Sequence, residues 1–230
     1  MLPAKRHKTE SESGSVLARA LDRLQAHRRE RRRNTRLGFL IDATGSRNET
    51  WEQAQGIHAS MFRAVAGLGN FQVRLVHFGG GKLSDHGWMA GSREVAAAFA
   101  GVRCISGCTQ ILSGLAAFLE AKEGERPSAI ILIGDCFEED AGEASRIALD
   151  LNEAGIRVYC FLEGEDTTAE GVFREIAETT GGRMVKFGSE LPLADLCAGV
   201  ALLTAGGEKA AHLIENEKAR RLLLTGPKQK

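Results

Sequence analysis

Asp42, Thr44 and Ser46 alternate through a turn that closes the apolar run Leu37-Gly-Phe-Leu-Ile41, so a single loop offers one carboxylate and two hydroxyls. Thr109, preceded by Ser106-Gly107-Cys108, and Asp135, closing a second apolar run Ala129-Ile-Ile-Leu-Ile-Gly134, bring the oxygen donors to five residues. Such a set suits a hard divalent cation. Mg²⁺ takes oxygen ligands in a near-octahedral shell and usually keeps some of its waters, and Mn²⁺ accepts the same ligand types.

Each motif alone has a plainer reading. Ser46-x-x-Glu49 is a capping-box pattern, so 42–46 also fits a well-made strand-to-helix turn. Thr109 fits a helix N-cap and Asp135 a polar strand end. The five residues gain meaning from the elements that must position them.

From Arg36 onward strand and helix patterns alternate. Strands are expected at 36–42, 71–78, 129–134, 156–162 and 183–187, with a weaker one at 82–89. Helices are expected at 47–67, 92–100, 109–122, 141–154, 169–180 and 190–204. Asp140-x-x-Glu143 and Thr167-x-x-Glu170 read as capping boxes, and Gly155 and Gly181-Gly182 as helix stops. The alternation predicts a doubly wound α/β fold, a mainly parallel sheet with helices on both faces. Runs 36–42 and 129–134 are apolar almost throughout, as in strands buried on both sides. Ligands of such sheets bind beyond the carboxyl ends of the strands, where strand order reverses. Asp42 and Asp135 each close a core strand, which predicts a shared site.

These residues resemble the metal-ion-dependent adhesion site of von Willebrand factor A (VWA) domains, and the resemblance covers roughly residues 35–204. That family's pattern is D-x-S-x-S, then a threonine after a glycine-rich turn, then an aspartate ending the next core strand. Asp42, Thr44, Ser46, Thr109 and Asp135 match it in order, with Thr44 keeping the hydroxyl of the middle serine. Leu151-Asn-Glu-Ala-Gly-Ile-Arg-Val-Tyr-Cys-Phe161 and Ile176-Ala-Glu-Thr-Thr-Gly-Gly-Arg183 look like the family's later helix-to-strand steps. Cys108 and Cys136 depart from it, standing where glycines are usual beside the threonine and the strand-end aspartate.

The resemblance implies a VWA, Rossmann-like fold and a Mg²⁺ or Mn²⁺ ion held by those five residues. It also implies a non-catalytic role, in which an acidic residue of a protein partner completes the ion's shell. Intracellular bacterial-type members often work beside AAA+ ATPases as adaptors or assembly factors, so a partner of that class is implied.

Composition sets the frame. A chain of 230 residues, 43% hydrophobic and 26% charged, is ordinary for a globular protein. No apolar run approaches the ~18 residues of a membrane span, and no apolar segment follows the charged N-terminus as in a secretory signal, so a cytoplasmic location without membrane contact is expected. Five cysteines argue against a disulfide framework. The neutral formal charge hides an asymmetry: residues 1–36 hold 11 Lys/Arg and 4 Asp/Glu, and the rest hold 19 and 26.

Three units are expected: a basic arm at 1–35, the VWA-like domain at 36–205, and a C-terminal helix and tail at 206–230. In the arm, Leu17, Ala20, Leu21 and Leu24 share a short helical face, with Ser15 as its cap. Arg28, Arg29, Arg31, Arg32 and Arg33 follow it. They are candidates for contact with a partner or, through phosphates, with nucleic acid; no aromatic residue accompanies them. A helix from Glu208 to Leu224 is expected in the tail.

Metal-dependent phosphoryl transfer or hydrolysis is the competing enzymatic reading. An aspartate nucleophile would want a second acid two residues later, where Thr44 stands, and no G-x-S-x-G elbow is present. His58 and His77 read as a helix-face and a strand residue rather than as bases.

Overall fold

The computed structural model describes residues 34–47, 57–64, 70–188 and 190–225. Residues 1–33 of the arm, with its leucine face and arginines, lie outside the described residues, as does Glu49.

Six strands form one sheet: β1 (Asn34–Asp42), β2 (Asn70–Gly79), β3 (Lys82–Met89), β4 (Ala129–Gly134), β5 (Arg157–Leu162) and β6 (Met184–Lys186). Their order is β3-β2-β1-β4-β5-β6, parallel except for the β2–β3 hairpin. Gly80 and Gly81, both at positive φ, turn that hairpin. The strand expected only weakly at 82–89 is a full edge strand.

Seven α-helices are described: α1 (Ile57–Ala64), α2 (Ser92–Gly101), α3 (Ile111–Leu119), α4 (Ala141–Glu153), α5 (Thr167–Thr179), α6 (Leu193–Gly206) and α7 (Glu217–Thr225). They cover both faces, because strand residues alternate in direction. Leu37, Phe39 and Ile41 of β1 join the core beneath α1, α2, α6 and α7. Leu40, Val76, Ile130 and Leu132 join the core beneath α3, α4 and α5. All six residues of β4 are buried, as its unbroken apolar sequence requires. No helix among the described residues is long and apolar enough to cross a membrane.

Two glycines bring α3 close to β1. A Cβ on Gly38 would lie 2.6 Å from the Phe118 ring, and one on Gly114 would lie 2.3 Å from Leu40. Strand and helix thus interlock, each yielding space to the other's large side chain.

Helix starts follow side-chain chemistry, with two corrections. Asp140 caps α4, accepting from Glu143 N at 2.8 Å as its box predicts. The cap of α5 is Asp166, which accepts from Ala169 N at 2.7 Å, so Thr167 is the first helical residue instead of the cap. A carboxylate is the better acceptor at a helix N-terminus. The helix expected from Glu208 to Leu224 is broken. A 3₁₀ segment, Gly207–Leu213, leads to buried Ile214, and α7 starts only after Asn216, whose Oδ1 accepts from Ala219 N at 3.0 Å. Ile214 and Leu223 both close over Gly199 of α6, a packing that one straight helix would not give.

Gly182 threads the chain against β5: a Cβ there would sit 1.9 Å from the Val158 carbonyl oxygen. Backbone on backbone cannot yield as a side chain does. Gly182→Ala should therefore destabilise the protein by at least about 1–3 kcal/mol, read as a lower urea midpoint with an unchanged m-value.

Candidate metal centre

Strand order reverses between β1 and β4: β1 feeds β2 on one side, while the chain later returns to β4 on the other. Asp42 and Asp135 stand at the carboxyl ends of these neighbours. Among the described residues, the carboxylates of Asp42 and Asp135 and the thiol of Cys136 place ligand atoms within 4.8 Å of one another. The two aspartates are thus brought together as expected.

The Asp42 side chain is fully buried, and its Oδ1 accepts from Thr44 N at 2.8 Å. This Asx-type turn fixes the loop. The Thr44 and Ser46 hydroxyls lie 3.2 Å apart, Thr44 buried and Ser46 exposed, at the 3₁₀ turn Gly45–Arg47. Ala43 locks the strand end from both sides: its N–H donates to Phe78 O at 2.8 Å and its carbonyl accepts from Ile105 N at 2.9 Å.

Thr109 is buried but is not the N-cap of α3. Gln110 holds that position without a side-chain cap bond. The Thr109 hydroxyl accepts from Glu138 N at 3.1 Å, while Thr109 N donates to the Glu138 carboxylate, also at 3.1 Å. Glu139 caps the helix instead, accepting from Ile111 N at 2.6 Å and Leu112 N at 3.1 Å. The segment after Asp135 is therefore bolted to the segment that carries Thr109. Sequence reasoning missed Glu138 and Glu139. Their only signal was three consecutive acids, 138–140, just past a strand end.

Asp135 Oδ1 is buried and has no hydrogen-bond partner among the described residues. A carboxylate oxygen so placed, close to the buried Asp42 carboxylate, is costly unless a donor or a positive charge joins it. The donor set fits a divalent cation: two carboxylates and one softer atom in Cys136 lie together, and the Thr44 and Ser46 hydroxyls follow Asp42 in its own loop. Burial pushes the Cys136 thiol up to about 12, with the charges of Asp135, Asp42 and Glu138 adding to the effect. It is thus a neutral thiol at neutral pH.

A family model described as "VWA domain containing CoxE-like protein" matches residues 13–184. None of the curated proteins searched matches the chain. Among solved structures, a von Willebrand factor type A protein from Catenulispora acidiphila is similar at TM-score 0.61 and 17% identity, over 76% of this chain and 43% of that one. This chain thus spans less than half of that protein's length. Proximal thread matrix protein 1 from the mussel byssus, with a zinc-occupied MIDAS motif, is similar at TM-score 0.58 and 19% identity, over 75% and 46% of the two chains. Manganese-loaded TRAP protein of Plasmodium vivax is similar at TM-score 0.51 and 15% identity, over 64% and 63%.

The bolt between the two loops has a direct readout. Glu139→Ala removes the acceptor for two helix-end amides, and charge-assisted bonds of this kind contribute about 1.5–3 kcal/mol each when buried, less at this half-buried site. Hydrogen exchange at Ile111 and Leu112 should accelerate, while amides of β4 keep their protection.

Proposed function

The chain belongs to the family of VWA-domain-containing CoxE-like proteins, and on that premise we propose that it is a non-catalytic protein-binding module of the cytoplasm. In this reading Asp42, Thr44, Ser46, Thr109 and Asp135 hold one Mg²⁺ or Mn²⁺, and an acidic residue of a partner protein completes the shell. The observation that carries it is the buried Asp135 Oδ1, without a hydrogen-bond partner among the described residues, beside the buried Asp42 carboxylate.

When bound, the cation supplies positive charge and an open coordination position that a carboxylate can fill. The protein's own groups explain why recognition is conditional. Asp42 and Asp135, with Glu138 beside Cys136, present negative charge to any acidic partner, so the empty site repels what the loaded site attracts. Thr44 N holds Asp42 in place, and the Glu138–Thr109 pair holds the second loop, so the ligands are set before an ion arrives. Structural neighbours with a zinc-occupied MIDAS motif or a manganese load support the reading that a divalent ion binds here.

An adaptor or assembly factor acting beside an AAA+ ATPase fits this design. Phosphoryl transfer through Asp42 does not, because that carboxylate is fully buried, hydrogen-bonded to the backbone and followed two residues later by Thr44. Arg28, Arg29, Arg31, Arg32 and Arg33 enter only as a separate, charge-driven contact of the arm.

Isothermal titration with Mn²⁺ and with Mg²⁺ should show one site, strongly weakened by Asp42→Ala and by Asp135→Ala. Pull-down of an AAA+ ATPase partner should need Mg²⁺, fail in chelator and fail with either variant. Unchanged metal binding in both variants would sink the proposal. The apolar sheet does not depend on the metal, so chelation should lower the melting temperature by only a few degrees.

A further inference from the structure

His77 and His86 are absorbed by no part of the adhesion site. They lie on the two strands of the β2–β3 hairpin, diagonal neighbours across its register, with His77 opposite Ser84. His77 Nδ1 and His86 Nε2 are 3.3 Å apart, and the rings are stacked at 5.2 Å between centroids. His77 follows Phe71, Val73 and Leu75 on the sheet face of the first core, half-buried, while His86 is exposed. On the other face the Arg74 guanidinium lies over Phe118 and pairs with Asp85 at 2.5 Å. That pair pins the hairpin register and so holds the two imidazoles together.

We propose that His77 and His86 form a second cation site, a two-imidazole chelate for Zn²⁺ or a similar nitrogen-preferring divalent metal, distinct from the oxygen site at the strand ends. Geometry carries this. A tetrahedral metal with Zn–N bonds of 2.0–2.1 Å sets its nitrogens about 3.3 Å apart, which is the separation found. The metal must lie near both ring planes, so one ring has to turn. His86, exposed on the edge strand, is free to do so. With the rings as they stand, the two nitrogens share a hydrogen bond, which the turn of His86 exchanges for two metal–nitrogen bonds.

Protonation assists. Burial, and then the neighbouring His86, bring the His77 pKa down to about 4, so at neutral pH this ring is a neutral ligand with no proton to displace. Imidazole suits Zn²⁺, Cu²⁺ and Ni²⁺ and not Mg²⁺, so the two sites are chemically separable. Water or a partner side chain fills the remaining positions. The site lies two residues before Gly79, where a Cβ would meet the carbonyl oxygens of Ala43 and Ile105. A metal clamp here stiffens the hairpin that supports the adhesion loops.

The test is a Zn²⁺ titration of the whole chain against a fluorescent chelator, in excess Mg²⁺. One Zn²⁺ equivalent is expected to disappear in His86→Gln, an exposed substitution, and to persist in Asp42→Ala. Mg²⁺ binding should respond in the opposite way, so this proposal and the one for the adhesion site fail separately. A Cu²⁺ spectrum of the wild type should show coupling to two nitrogens, and to fewer in His86→Gln. Zn²⁺ stoichiometry unchanged by His86→Gln, or no Zn²⁺ equivalent sensitive to either histidine, overturns the assignment.

Discussion

A carboxylate buried at the end of the central strand is the constraint around which this molecule is arranged. Removing a charge from water costs several kcal/mol unless other groups replace the lost hydration. Asp42 is fully buried, and its strand end is held by Thr44 N at its own carboxylate and by Phe78 and Ile105 at Ala43. A second carboxylate, Asp135, is then brought against it by the register of β4 on β1. Hydrophobic packing supplies the force that holds these two charges together. Interior side chains of β1, β4 and β5 make the sheet stable enough to tolerate a polar summit.

The summit is held from above as well as from below. Glu138 and Glu139 reach back to three amides of the Thr109–Leu112 segment, so two loops separated by nearly thirty residues behave as one body. The interlock of Gly38 with Phe118 and of Gly114 with Leu40 fixes the height of α3 over β1. Thr109 consequently stands at a set level relative to Asp42. A partner that pulled on one loop would load the other, a coupling carried by named bonds.

Much of this was legible in the sequence, for physical reasons. Continuous apolar runs announced β1 and β4 because strands covered on both faces tolerate nothing else. The meeting of Asp42 and Asp135 was legible because each closes a core strand at the same edge of the sheet. Glu138 and Glu139 were not, since their role depends on which helix end the fold delivers to them. The tail failed similarly: Ile214 and Asn216 break a helix-forming stretch only because Gly199 of α6 offers a place to bury Ile214 and Leu223. Thr167 lost its expected capping role to Asp166, one position away, within the usual uncertainty of helix boundaries. The His77–His86 pairing was invisible because the bulge between Arg74 and Val76 sets which cross-strand residues meet.

Strand order has a kinetic consequence. β1 pairs with β2, which follows within some thirty residues, and with β4, which arrives about ninety residues later. Closing the second loop costs more chain entropy and yields no contacts until it is complete. The β2–β3 hairpin, turned by two glycines, needs almost no search and forms on the microsecond scale. Asp42 and Asp135 therefore meet only in the slow, long-range step, after the hairpin exists. An ion that needs both aspartates has nothing to hold during early collapse, so its presence should slow unfolding while leaving the rate of folding nearly unchanged.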